Sequence, residues 1–357
     1  MRNVLLSLAA LCCLVSPAAV TAQSKPIQTI PVDQIHAGMR GVAYTVFQGV
    51  KPEAMGVEVL GVMHNVNGPK GDVILVRLHG EKAEYTGVVA GMSGSPVYID
   101  GKLAGALAFR IGEFSKEPIA GVTPIAEMLE INAMDRTVAG DSAPVQAKAE
   151  SVSSKSAAPG NSSSLGTQGF TSVLKPIDTP LVFNGFSEEA VRMFAPQFAT
   201  AGIVPVMGAG SVTQKKQPEP LEPGSAVSAI LVSGDMDIAA TCTVTYMDPQ
   251  RLLACGHPLL QFGMVDIPMT KAEVLATLPS PLNAFKIVNT TEPVGAFVQD
   301  RHTGIMGLFD KKPDMIPVTL TIHGGPTTKE FHYQVLNNAK LSPVAMMATV
   351  FNALHGV

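Results

Sequence analysis

Apolar residues in this chain fall mostly into short runs rich in Val, Ile, Leu and Thr, broken by Gly, Pro, Asp and Asn. Many of the runs alternate with the period of two that a half-buried strand requires. Gly41 to Phe47, Met55 to Val62 and Asp72 to Leu78 read as strands. Val97 to Ile99 and Lys102 to Phe109 flank Asp100-Gly101, a pair that supplies the positive φ of a tight hairpin turn. Thr123-Pro124 predicts a short helix through Ile131, with Thr123 as cap and Pro124 at the first helical position. Thr243 to Tyr246 and Arg251 to Ala254 predict a second hairpin, turning at Asp248-Pro249.

Helical period occurs in fewer places. A helix is expected from Ser187, following strand-like Pro180 to Phe183, because Glu188 and Glu189 suit the positive end of a helix. After Ser342-Pro343, Val344, Met347, Phe351 and Leu354 recur at helical spacing, the pattern of a core-facing stripe. The chain therefore reads as mainly β, with a small α/β insert and a C-terminal helix.

The two ends and the middle divide it. Residues 1–22 read as a signal peptide: Arg2, the apolar run Val4 to Val15, then small residues suited to cleavage after Ala22. A lipobox at Cys12 is disfavoured by Leu11 before it. The mature protein is expected to be secreted or periplasmic, with no integral membrane segment after signal removal. Residues 23–140 form a first lobe. Residues 141–167, rich in Ser, Ala, Gly, Lys and Gln, lack the large apolar side chains needed to order themselves and read as a disordered linker. Residues 168–223 form a small α/β segment, 224–325 a second β lobe, and 326–357 a C-terminal strand and helix. An apolar helix at the very end suggests a piece of a longer protein.

Composition narrows the function. With 46% hydrophobic and 15% charged residues the chain is neither a disordered nor a polytopic sequence, and a net charge of -4 without any Trp gives no footprint for nucleic acid. Removing Cys12 and Cys13 with the leader leaves Cys242 and Cys255, an exported pair and hence a disulfide candidate. If Tyr246 faces Arg251, the two cysteines lie directly opposite; the alternative is two buried thiols. No His-x-x-x-His, Cys-x-x-Cys or acidic cluster has metal-site spacing, and Gly208-Ala209-Gly210-Ser211 lacks the Lys of a phosphate loop, so neither metal nor cofactor is expected.

The chemistry-bearing segment is Gly91-Met92-Ser93-Gly94-Ser95-Pro96. Its glycines permit a tight loop from which a serine hydroxyl can project, while the amides of Gly91 and Ser93 converge on a developing oxyanion. Such a serine needs a base. Of eight histidines, His257 in Ala254-Cys255-Gly256-His257-Pro258 stands out, since it follows a predicted strand in a Gly-Pro turn that would hold and expose the ring. His36, His64, His323, His332 and His355 have no comparable setting.

Gly91 to Pro96, followed by Val97 to Ala106, resembles the nucleophile region of the SpoIVB-type serine peptidases, with its Gly-Met-Ser-Gly-Ser-Pro motif and Gly-Lys-Leu-x-Gly-Ala hairpin. Gly41 to Val62, Thr86 to Val89, the stretch from Thr243 to Pro258 and Gly304-Ile305-x-Gly307 are similar too. The resemblance implies a trypsin-like double β-barrel, a protein substrate, Ser93 as nucleophile and His257 as general base. Two features depart from the family. Ser93 precedes His257 here, as in a circular permutation, which a triad defined by geometry tolerates. The family's Asp shortly before the nucleophile is missing, and that neighbourhood offers His79. The residue orienting His257 is then Asp300, Asp266 or His79, or there is none. An exported endopeptidase of narrow specificity is the expected function, and a catalytically inactive binding or envelope scaffold the alternative.

Overall fold

The computed structural model describes residues 27–112, 115–132, 134–135, 174–179, 181–200, 205–208, 216–280, 284–323 and 328–355. The expected leader and the 141–167 linker lie outside them. The first lobe contains β1 (Arg40–Thr45), β2 (Glu53–Met63), β3 (Val73–His79), α1 (Glu81–Thr86), β4 (Pro96–Ile99), β5 (Lys102–Ile111), β6 (Ile119–Pro124) and α2 (Ile125–Leu129). Its strands run β4-β1-β2-β3-β6-β5, and pairing of β4 with β5 closes them into a six-stranded antiparallel barrel. Alternation is visible in β2, where Met55, Val57 and Val59 turn inward while the residues between them do not. With Ile74, Val76 and Leu78 of β3 these fill the barrel. Beyond it, β7 (Leu174–Pro176) pairs with β5.

The second lobe contains β8 (Leu181–Asn184), α3 (Glu188–Thr200), β9 (Pro205–Met207), β10 (Ala226–Gly234), β11 (Asp237–Met247), β12 (Arg251–Ala254), β13 (Gly263–Leu278), β14 (Phe285–Arg301), β15 (Gly304–Phe309), β16 (Met315–Ile322), β17 (Lys329–Leu336) and α4 (Ser342–His355). The order β10-β13-β14-β15-β12-β11, with β10 also paired to β11, is again a closed ring. Strands β8 and β9 extend it past β11, and β17 and β16 past β10. The fold is a mainly β double barrel in which the serine-bearing barrel comes first. The 168–223 segment is divided between the lobes, because β7 joins the first sheet and β8 and β9 the second.

Several local expectations are corrected. The hairpin after Thr243 pairs Tyr246 with Leu253, not Arg251, and its register shifts between Val244 and Tyr246. The extra residue still allows Cys242 and Cys255 to meet as a disulfide, since Cys255 adopts a left-handed φ of 68°. On α4 the packed face is the small-residue one, Ala345, Ala348, Asn352 and Ala353, whereas Met347 and Leu354 are about half exposed. Small residues let α4 approach the lobe closely, so the stripe of larger side chains faces partly outward. Thr123 does not cap α2, whose cap position is Pro124.

Candidate active site

The Gly91–Pro96 loop lies between α1 and β4 and is gripped by the opposite barrel. Three groups of β11 reach its carbonyls: Thr243 Oγ1 donates to Gly91 O (2.9 Å), Thr243 N to Ser93 O (2.8 Å) and Thr245 Oγ1 to Gly94 O (2.7 Å). Only glycine fits at position 94. It has φ 93°, and a Cβ there would lie 1.9 Å from Thr243 O and 2.5 Å from Cys255 N. With the carbonyls tied to β11, the N–H groups of Gly91 and Ser93 donate to no acceptor among the described residues. That arrangement suits an oxyanion site.

Lys286 of β14 supports the loop from behind. Its backbone N donates to Ala90 O (3.2 Å), its stem passes beneath Gly91, and its Nζ donates to Thr45 Oγ1 (2.7 Å). Burial pushes its amine down to about 7. Lys286 carries no sequence pattern, and the family-like stretch from Thr243 does not reveal this role for Thr243 and Thr245, because it comes from pairing between lobes.

His257 reaches the same place from the second lobe. The turn before it rests on β5: a Cβ on Gly256 would meet Ala106, Ala108 and Leu107 O, the last being the acceptor for Gly94 N (2.7 Å). Thr123 Oγ1 donates to Gly256 O (2.6 Å), so the threonine expected to cap a helix instead ties the histidine turn to the first barrel. His257 Nδ1 lies 2.8 Å from Pro258 O, while Nε2 is buried without a partner among the described residues. Burial pulls the ring's pKa down, and the backbone of Pro258 and Ile177 and the charge of Asp178 oppose it.

None of the three expected orienting groups contacts this ring. Asp300 accepts from Leu259 N (2.8 Å) and Leu260 N (2.7 Å), with the amides of Gln261 and Phe262 also directed at it. It caps the loop that follows His257, and burial pushes its carboxyl up to about 6 despite those amides. Asp266 is taken by Lys311 and by Asp314 N. His79 pairs with Glu58 (3.2 Å) on the first barrel. The carboxylate whose charge does reach His257 is Asp178, which the sequence left inside an unremarkable segment.

The serine and histidine are also less open than expected. Ser93 is fully buried and His257 is 3% exposed, and no hydrogen bond joins them. The Ser93 hydroxyl lies 3.5 Å from Thr179 Oγ1. The chain from Ile177 to Thr179 covers both residues. Among the described residues no group of acids, histidines and cysteines could hold a metal ion, and no helix is long and apolar enough to cross a membrane.

No curated protein and no solved structure matches the chain. Residues 14–128 match the family model described as SpoIVB peptidase S55, and this stretch contains all of Gly91 to Pro96. That match covers less than half of the chain and makes its first lobe similar to the SpoIVB-type serine peptidases.

Proposed function

We propose that the protein is an exported serine endopeptidase of narrow specificity that cuts a protein partner through an acyl-enzyme. The observation that carries this reading is the pair of amides at Gly91 and Ser93, together with the His257 Nε2, that have no hydrogen-bond partner among the described residues. A proton on Nδ1, donated to Pro258 O, leaves the Nε2 lone pair available as base. Ser93 Oγ would transfer its proton there as it attacks the substrate carbonyl, and the two amides would receive the oxyanion. Nε2 would then return the proton to the leaving amine, and water would release the acyl group. A carbonyl orients the ring but stabilises the imidazolium less than a carboxylate does, so a modest rate is expected.

The scaffold alternative is favoured by the burial of Ser93 and by the missing Ser93–His257 hydrogen bond. Prolonged exposure of the mature protein, beginning at Gln23, to a fluorophosphonate probe separates the two. Labelling should occur at Ser93 and disappear in Ser93→Ala. His257→Ala should slow it by about a thousandfold or more, since nucleophile and base act as a unit. Peptidase activity that survives Ser93→Ala would overturn the mechanism, and a mature chain retaining Met1 would overturn export.

A further inference from the structure

We infer that residues Leu174–Thr179 are an intramolecular occupant of the substrate groove, with the Ile177 side chain in the pocket for the residue on the acyl side of the cleaved bond. The inference rests on Ser93 being the nucleophile, and it extends that reading to regulation and to the class of substrate.

The groove is the edge of β5 that β4 leaves uncovered. Strand β4 pairs with β5 only as far as Ala106, so the edge beyond is open to a further strand. It is filled by β7 in antiparallel register, Ile111 facing Leu174, Arg110 facing Lys175 and Phe109 facing Pro176. The ladder continues past the strand, where Ile177 N donates to Ala108 O (2.8 Å). This is how an extended peptide adds to a sheet edge, main chain giving affinity and side-chain pockets giving specificity.

From there the segment runs into the reactive groups. Ile177 is 1% exposed and belongs to the first barrel's apolar cluster together with Val89 and Met92 of the nucleophile loop. Its backbone lies against the His257 ring, and Thr179 Oγ1 lies 3.5 Å from Ser93 Oγ. Asp178, between them, is fastened to Arg110 of β5 at 3.0 Å. A peptide bound for cleavage would occupy this path, and its occupation accounts for the burial of Ser93 and His257. The pocket held by Ile177 fits a branched aliphatic side chain. A substrate is therefore an extended peptide with such a residue before the cleaved bond, and it must displace the resident segment.

The test measures the rate at which a fluorophosphonate probe labels Ser93 in the full-length protein. Asp178→Ala removes the Arg110 clasp from a partly exposed position and should leave the fold intact; Ile177→Asp introduces a charge the pocket cannot hold. Labelling should quicken by about tenfold or more in either variant, a shift of about 1.4 kcal/mol in occupancy, and Ile177→Val should stay close to the parent. A free Leu-Lys-Pro-Ile-Asp-Thr peptide should slow labelling of the Asp178→Ala protein, and the same peptide with Asp for Ile should not. If parent and Asp178→Ala protein label equally fast and neither peptide competes, the occupancy is wrong and the peptidase reading stands. If no folded form labels at all, the peptidase reading fails and takes this inference with it.

Discussion

The two barrels each form a closed six-stranded ring but hold Ser93 and His257 differently. In the first, the turn at Ser93 is set by its own backbone, with Gly91 and Gly94 at positive φ and Ser95 folded back onto Met92 O at 2.6 Å, and β11 then grips it. In the second, the His257 turn is positioned by distant residues: Asp300 on the amides of 259–262, Thr123 on Gly256 O, and Cys242 through its disulfide to Cys255. Charge is distributed differently as well. The first barrel keeps ion pairs such as Arg77 with Glu58 and Glu117 partly exposed, whereas Lys286 and Asp300 of the second are buried. The turn that presents Ser93 can be encoded locally. The His257 turn, aimed at the first barrel from the second, depends on long-range contacts.

The sharpest way to break this contrast is at its junction. Gly94→Ala places a methyl 1.9 Å from Thr243 O at φ 93°, so the β11 grip must open. Overpacking and backbone strain together should cost about 3 kcal/mol or more and abolish probe labelling; thermal unfolding reads the first effect. Replacing both Cys242 and Cys255 by Ser should cost about 3 kcal/mol, from release of a short loop in the unfolded chain. If the second lobe depends on distant ties, labelling at Ser93 should fall further than the loss of stability explains.

Asp300→Asn tests the tie through the loop. It leaves inward-pointing amides without their full acceptor set, a loss of about 1–3 kcal/mol at neutral pH. The pH profile gives an independent signature. Because the folded carboxyl is raised from 3.8 to about 6, the folded state binds the proton more tightly than the unfolded chain, and stability contributed by Asp300 is lost as pH rises between those values. Chemical denaturation of the Asn variant should lack that slope; an unchanged slope would mean that another group produces it. The smallest effect is expected for Thr123→Val, about 1 kcal/mol for one buried hydrogen bond, with labelling reduced through Gly256.

Legibility followed the same division. Strands β1 to β5 and the hairpin at Asp100-Gly101 were readable because alternation and turn chemistry are local. The short helix α1 was not anticipated. The role of Thr123 was misjudged because its hydroxyl has two possible uses, capping a helix or bonding across the lobes, and only packing selects between them. The choice of Asp300 to orient His257 found a residue beside the site but assigned it the wrong partner: its carboxylate meets the amides of 259–262, and Pro258 O meets the ring. Asp178 and Thr179 were passed over because nothing in Leu174–Thr179 has a motif; their significance appears only where β7 lies along β5.

By itself the sequence determined a mainly β chain, the strands of the first barrel, the Gly91–Pro96 turn and the turn that carries His257. These follow from periodicity and from glycines whose backbone angles few other residues tolerate. The tertiary structure decided the closure of the second ring, the grip of β11 on the loop, the partner of each buried charge and the segment lying over the serine. Those depend on which groups meet after folding, where desolvation makes each buried donor, acceptor or charge require a partner, as Thr123 finds Gly256 O more than a hundred residues away.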